Sequence, residues 1–221
     1  MRRFGVRSNL LGTILPSGLS LCELAGGAEP DPLYPEEELL IYGAVPKRRR
    51  EFALSRTCTR RALAGLGIEA FPVLSAPNRA PLWPSGVVGS ITHCDLYTAA
   101  VVGLDTHLRS IGIDAEVNQP LPEGTYDLIA LPRERTAAKE FLDPRVCWDR
   151  LLFSAKESIF KAWSPLSVGW LDFQQVEVSI DPTHLKFHAK LLIDSPATGE
   201  FLEGKFRLSG KHIFTVVAIQ S

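Results

Sequence analysis

The chain has 221 residues, 45% of them hydrophobic and 22% charged, with a formal net charge of −1. That length suits one large domain or two small halves, and the balance is that of an ordinary globular protein. It excludes a disordered or fibrous chain and provides no whole-molecule attraction to nucleic acid or to an anionic membrane.

Arginines precede a mildly apolar N-terminal stretch, but Ser8, Asn9, Thr13, Pro16 and Ser17 interrupt it, and no run reaches the length of a membrane span. The expectation is a soluble cytoplasmic protein whose first strand lies near residues 9–15. The four cysteines, Cys22, Cys58, Cys94 and Cys147, are scattered and form no CxxC pair, which points to reduced thiols. Pro35 followed by Glu36, Glu37 and Glu38 marks a helix start. A second helix is expected over residues 47–66, ending at Gly67. A short strand follows at 71–74, then a proline-rich loop over 75–86.

Three β-like runs come next, at 87–92, 97–103 and 110–117, with Asp105-Thr106-His107 reading as a hairpin connection between the last two. A third helix spans 148–163, stopped by Ser164-Pro165. Strands at 176–180, 186–193, 201–208 and 212–219 complete the chain. This order is α+β, with each half a long helix and several antiparallel strands, and it suits two similar subdomains, residues 1–108 and 109–221.

Chemistry concentrates in four places. In Ser110-Ile111-Gly112-Ile113-Asp114-Ala115-Glu116-Val117 the alternation puts Ile111, Ile113, Ala115 and Val117 on one face and Asp114 and Glu116 on the other, beside Gly112. Two carboxylates two residues apart on a strand can close on one hard cation, with Gly112 leaving room for a phosphate; a solvated acidic face is the alternative. Asp114, on the polar side, should be removable without damage to the core. In the helix at 148–163, Glu157 and Lys161 lie opposite an apolar stripe and Lys156 lies at its margin. An exposed i,i+4 pair is the plain reading, but Phe153 and Phe160 flank Glu157 on that supposedly exposed face, as they would at a site. Lys47, Arg48, Arg49, Arg50, Arg56, Arg60 and Arg61 form a basic cluster that suits a solvated surface or phosphates; it lacks the interleaved aromatics of a nucleic-acid surface. Gly89-Ser90-Ile91-Thr92-His93 could bring backbone and a histidine close to a phosphate, although a lone histidine is commonly structural.

Taken together, Gly89-Ser90-Ile91-Thr92-His93, Ile111-Gly112-Ile113-Asp114-Ala115-Glu116 and Phe153-Ser154-Ala155-Lys156-Glu157-Ser158-Ile159-Phe160-Lys161 resemble the ordered motifs of the Sfp-type 4′-phosphopantetheinyl transferases, especially the subgroup like the enterobactin synthetase component. Arg79-Ala80-Pro81-Leu82-Trp83-Pro84 matches a further segment of that subgroup. The resemblance implies two pseudo-symmetric α/β subdomains with coenzyme A in the cleft between them. It implies transfer of the 4′-phosphopantetheine arm to a serine of acyl or peptidyl carrier proteins of fatty acid, polyketide, nonribosomal peptide or siderophore synthesis, by an enzyme for which a monomer suffices. It puts Asp114 and Glu157 on magnesium (or manganese in its place), with Glu116 a ligand directly or through water. Arg48 and His93 hold the 3′-phosphate, Arg56 the phosphates, and Lys156 and Lys161 face the pyrophosphate, while Ser75, Asn78 and Arg79 line the adenine side and Thr92 is a further coenzyme A contact. Glu157 is the candidate base and Lys161 stabilises the transferring group. A catalytically silent binding module of the same fold for coenzyme A or carrier protein is the rival reading; the intact Asp114, Glu116, Glu157 and Lys161 argue against it. Phe153 stands where many members have tryptophan, and Ala80 where lysine is frequent.

Overall fold

The computed structural model describes residues 10–138 and 143–221. Its elements run β1 (Ser20–Ala25), α1 (Pro35–Leu40), α2 (Pro46–Gly65), β2 (Val87–Cys94), β3 (Tyr97–Leu104), β4 (Leu108–Val117), α3 (Thr125–Ile129), α4 (Pro132–Ala138), α5 (Trp148–Trp163), β5 (Val176–Asp181), β6 (Lys186–Leu191), β7 (Phe201–Ser209) and β8 (His212–Gln220). The strands form two antiparallel sheets, one ordered β1-β3-β2 and the other β4-β8-β7-β6-β5. The fold is therefore α+β, as the sequence implies. Among the described residues no helix is long and apolar enough to cross a membrane.

Each sheet has its own helix. The stripe Leu151, Leu152, Ala155, Ile159, Ala162 and Trp163 seats α5 on β5–β8 through Phe187, Phe206, Ile213 and Val217. Cys58, Ala62 and Leu63 seat α2 on Val87, Ala100 and Val102. A third cluster fills the space where the two sheets meet, with Tyr97, Ala99 and Val101 against Ile111, Ile113, Ala115, Phe214 and Val216. Burying apolar area on this scale is the main stabilising term of the fold.

The sheets are joined through hydroxyls rather than a backbone ladder. Ser90 Oγ accepts from the Ile113 N–H at 3.1 Å and Thr92 Oγ1 from the Ala115 N–H at 3.0 Å. Buried amides must find acceptors, and here β2 supplies them to β4 with side chains, so the two sheets abut without becoming one. Thr92, expected among the coenzyme A contacts, thus serves as a staple between sheets and is 4% exposed.

Several local expectations change. Residues 10–15 form turns, residue 9 lies outside the described residues, and the first strand is β1. The Leu10 and Leu11 amides donate to the Glu23 carboxylate on β1 instead of to a neighbouring strand. Residues 71–74 are irregular: the Val73 N–H goes to the buried Glu37 carboxylate, and Pro72 has no donor to give a ladder. The turn at 105–107 is no hairpin. Both edges of β3 are already paired, with β1 and with β2, so β4 must leave for the other sheet. Helices α3 and α4, each under eight residues, are additions to the sequence reading.

Gly112 also takes a different role. A Cβ there would lie 1.9 Å from Ser158 O and 2.6 Å from Ala162 N on α5. The glycine therefore serves close approach of strand to helix rather than leaving room for a phosphate. A comparable contact links two motifs in the first half, where a Cβ on Gly89 would meet Trp83 at 2.9 Å.

Candidate active site

That close approach sets the position of the acids. With β4 pressed on α5, Asp114 is 4% exposed and its carboxylate is held from three sides. Ser154 Oγ donates to Oδ2 at 2.8 Å, while Lys161 Nζ at 2.6 Å and Thr92 Oγ1 at 3.3 Å donate to Oδ1. Lys161 also donates to Ile113 O at 3.2 Å. Asp114 is thus a buried junction of β2, β4 and α5 and not an acid on a free polar face, so its removal cannot spare the packing around it.

Glu116, two residues on, accepts from Arg150 Nη1 at 2.9 Å; the same guanidinium donates to Gln119 O and Pro120 O, each at 3.0 Å. Burial first, then the negative charge of Asp114, pushes the Glu116 carboxyl up to about 7, against the pull of Arg150. Glu157 is half-buried on α5, with no hydrogen-bond partner among the described residues. Burial raises its pKa, with Asp114 adding to the rise and Lys161 opposing it. Phe153 and Phe160 beside it are themselves covered, by Phe173 at 5.7 Å and Trp170 at 4.9 Å between ring centroids. Cys94 lies near the same acids; burial first, and then their charge, pushes its thiol up to about 12, so it stays protonated and inert.

The charge of Asp114 raises the pKa of both Glu116 and Glu157, and the oxygen donors of the three carboxylates have the chemistry a hard divalent cation takes. The set fits such an ion in kind. As the side chains stand, no group of three or more His, Cys, Asp or Glu among the described residues is placed to hold a metal ion, and Lys161 sits on Asp114 and Arg150 on Glu116.

One consequence can be read in metal-free protein. Glu116 has a higher pKa folded than unfolded, so between about 4.5 and about 7 the folded state binds more protons than the unfolded one. Its contribution to stability is present below that window and is lost as pH rises through it. Thermal melts of metal-free wild type and Glu116→Gln should therefore diverge from pH 5 to pH 7, with the wild type losing ground. Parallel curves would contradict the raised pKa.

The second group of expected residues gathers on the other side of β2. Where Thr92 meets Asp114, the adjacent His93 places Nε2 3.0 Å from Arg48 Nη1 on the first turn of α2. Glu51 lies 3.7 Å from His93 and 3.6 Å from Arg48. His93 also forms part of the wall of a cavity of about 280 Å³ bordered by Lys47, Glu51, Leu54 and Tyr97, which the acids of β4 and α5 do not line. Arg56 is buried, donates to Ser75 Oγ at 3.0 Å and lies over the Phe52 ring. Among the described residues its Nε has no hydrogen-bond partner and lies 3.9 Å from Glu37, and burial lowers its pKa to about 10 although Glu37 opposes the shift. In the following loop, Asn78 Oδ1 accepts from the Ala80 N–H, and exposed Arg79 has a left-handed φ of 68°.

Lys156 departs from expectation. It is 2% exposed, and its three donors go to Ile129 O at 2.9 Å, Glu134 Oε2 at 2.8 Å and Phe173 O at 2.8 Å. An ammonium has three donors, so none remains for a pyrophosphate. Glu134, the partner that sequence reading missed, also accepts from Leu131 N and Val178 N. The pair ties α5 to α3, α4 and β5. Breaking a buried pair by removing one partner costs about 3–5 kcal/mol, so Lys156→Met should lower the denaturation midpoint in urea substantially. An unchanged midpoint would remove Lys156 from the structural frame.

Comparison with known proteins bears on the whole chain. Residues 36–103 match the family model described as 4′-phosphopantetheinyl transferase N-terminal domain, and residues 110–217 match that of the 4′-phosphopantetheinyl transferase superfamily. The chain is 42% identical over 219 residues to a protein of Streptomyces mobaraensis named 4′-phosphopantetheinyl transferase Svp, covering 95% of this chain and 89% of that one. It is 41% identical over 221 residues to 4′-phosphopantetheinyl transferase Npt of Nocardia iowensis, covering 95% and 99%. Enterobactin synthase component D of Salmonella typhimurium is 33% identical over 151 residues, covering 67% and 62%.

Proposed function

Because this chain belongs to the 4′-phosphopantetheinyl transferase superfamily, we propose that it transfers the 4′-phosphopantetheine arm of coenzyme A to a serine hydroxyl of a carrier protein, releasing adenosine 3′,5′-bisphosphate. The observation that carries the reading is the meeting of Asp114, Glu116, Glu157 and Lys161 where β4 packs on α5.

Asp114 and Glu157 would hold magnesium, or manganese in its place, with Glu116 joining directly or through water; the ion would supply positive charge to the pyrophosphate. The chain's own residues do the rest. Lys161, 27% exposed, reaches the transferring phosphoryl group and offsets its charge. Glu157 takes the proton of the attacking serine: its raised pKa moves its basicity toward the working pH, and no hydrogen bond among the described residues competes for its oxygens. Arg48 and His93 hold the 3′-phosphate, Arg56 with Ser75 backs the phosphates, and the loop at Asn78 and Arg79 borders adenine. Lys156 is omitted from this set. No covalent enzyme intermediate is needed, and positioning with charge stabilisation accounts for the acceleration. Acyl or peptidyl carrier domains of fatty acid, polyketide, nonribosomal peptide or siderophore synthesis are the acceptors we infer, served in the cytoplasm by a monomer.

The test is an intact apo-carrier incubated with the protein, coenzyme A and magnesium, followed by mass spectrometry. A gain of one phosphopantetheine on serine is expected; tight coenzyme A binding with no mass gain would favour a silent binding module. Arg48→Ala and His93→Ala should each weaken coenzyme A much more than 3′-dephospho-coenzyme A, by about 1.5–3 kcal/mol per lost donor to a charged group. Equal losses for the two ligands would move those residues away from the 3′-phosphate.

A further inference from the structure

Asp114 already has a cation. Lys161 Nζ lies 2.6 Å from Oδ1, the other donor to that oxygen is Thr92 Oγ1, and Ser154 Oγ holds Oδ2. A carboxylate oxygen has two lone-pair directions, and both directions of Oδ1 are in use. The Asp114 side chain is 6% exposed and packed on all sides, whereas Lys161 is 27% exposed on a flexible stem. Of these two partners only the lysine can move. Its ammonium spends two donors, on Asp114 and on Ile113 O, and Glu157 lies one helical turn before it. Arg150 stands on Glu116 in the same manner, but its guanidinium is also fixed by two backbone carbonyls and stays in place.

We infer that Lys161 is the resident counter-cation of Asp114 and sets the order in which ligands enter. In the free protein it closes Oδ1 to a divalent ion, because two positive centres cannot share one carboxylate oxygen without strong repulsion, and its charge opposes an ion on Oδ2, where Ser154 takes one of the two directions. A pyrophosphate offers the ammonium a stronger partner. Coenzyme A therefore draws Lys161 off Asp114 and opens that oxygen to magnesium. The two ligands are coupled through one lysine, and by linkage each raises affinity for the other. This rests on the reading of Asp114 as a magnesium ligand given above.

Magnesium chloride titrated calorimetrically into coenzyme-free protein tests it. Lys161→Met should bind magnesium about tenfold more tightly than wild type, within the usual span of coupling between sites. In wild type, saturating coenzyme A should bring magnesium affinity to the level of the variant or beyond. If wild type binds magnesium with coenzyme A present but Lys161→Met gains nothing without it, the counter-cation role is overturned and the ligand set survives. If wild type binds no magnesium even with coenzyme A, the ligand set itself fails and the inference with it. A mere field effect from losing one charge, or a variant that does not fold, is met by a second measurement on unaltered protein. Saturating magnesium alone should speed acylation of Lys161 by acetic anhydride, read by peptide mass mapping. Unchanged labelling would show that the lysine is not displaced.

Discussion

Glu157→Gln is expected to lower single-turnover transfer about 10²-fold or more, the contribution typical of a positioned general base, with little loss of stability. The isolation of this carboxylate makes the separation clean. Glu157 has no hydrogen-bond partner among the described residues, and burial already disfavours its charged form. Replacing it by a neutral amide of the same shape removes a partly desolvated charge and leaves no donor stranded. Stability at pH 7 should therefore hold or rise slightly, and coenzyme A affinity in the absence of metal should hold. An exposed i,i+4 partner of Lys161 would behave oppositely, costing a few tenths of a kcal/mol in stability and nothing in rate. Rapid-quench assays paired with thermal melts distinguish the two. Near-normal transfer by the glutamine variant would take the proton-accepting role away from this helix.

Asp114→Asn should abolish measurable transfer and, unlike the Glu157 change, should also cost stability. The carboxylate receives Ser154, Thr92 and Lys161. An amide turns one oxygen into a donor, so it must face either a hydroxyl that can rotate to accept or an ammonium that cannot. Leaving a charged group without its buried partner costs about 1–3 kcal/mol or more. The loss should appear as a lower urea midpoint with an unchanged slope, the mark of a native state weakened without partial unfolding. Asp114→Ala should cost more, because it also opens a cavity between β4 and α5. Full stability with lost activity would mean that the junction at Asp114 contributes nothing to the fold; lost stability with full activity would end its role as a ligand.

Periodicity and end signals determined much by themselves. The apolar stripe of α5, stopped by Ser164-Pro165, and the glycine stop at Gly67 gave both long helices to within a residue or so, because helical spacing and the stereochemistry of proline and glycine act over a few neighbours. The later strands were legible from their own alternation, and the motifs around His93, Asp114 and Glu157 marked three segments, β2, β4 and α5, that the fold brings together. Side-chain partners were not legible, since they depend on what another element brings from dozens of residues away. Lys156 and Lys161 sit on one helix and look alike in a string. Tertiary packing gives Lys156 to Glu134, at a buried anchor, and Lys161 to Asp114, at the half-open edge of the site. Thr92 and His93 are neighbours as well, yet strand alternation sends one to Asp114 and the other to Arg48. Gly112 could have served a ligand or a contact, and only the arrival of the Ser158 carbonyl decided between them. A short turn after β3 could likewise have been a hairpin until β1 and β2 had taken both its edges. Local stereochemistry thus determined which elements form and which residues can do chemistry. The third dimension determined which charge meets which, because burial makes pairing obligatory and only the packed chain says who is within reach.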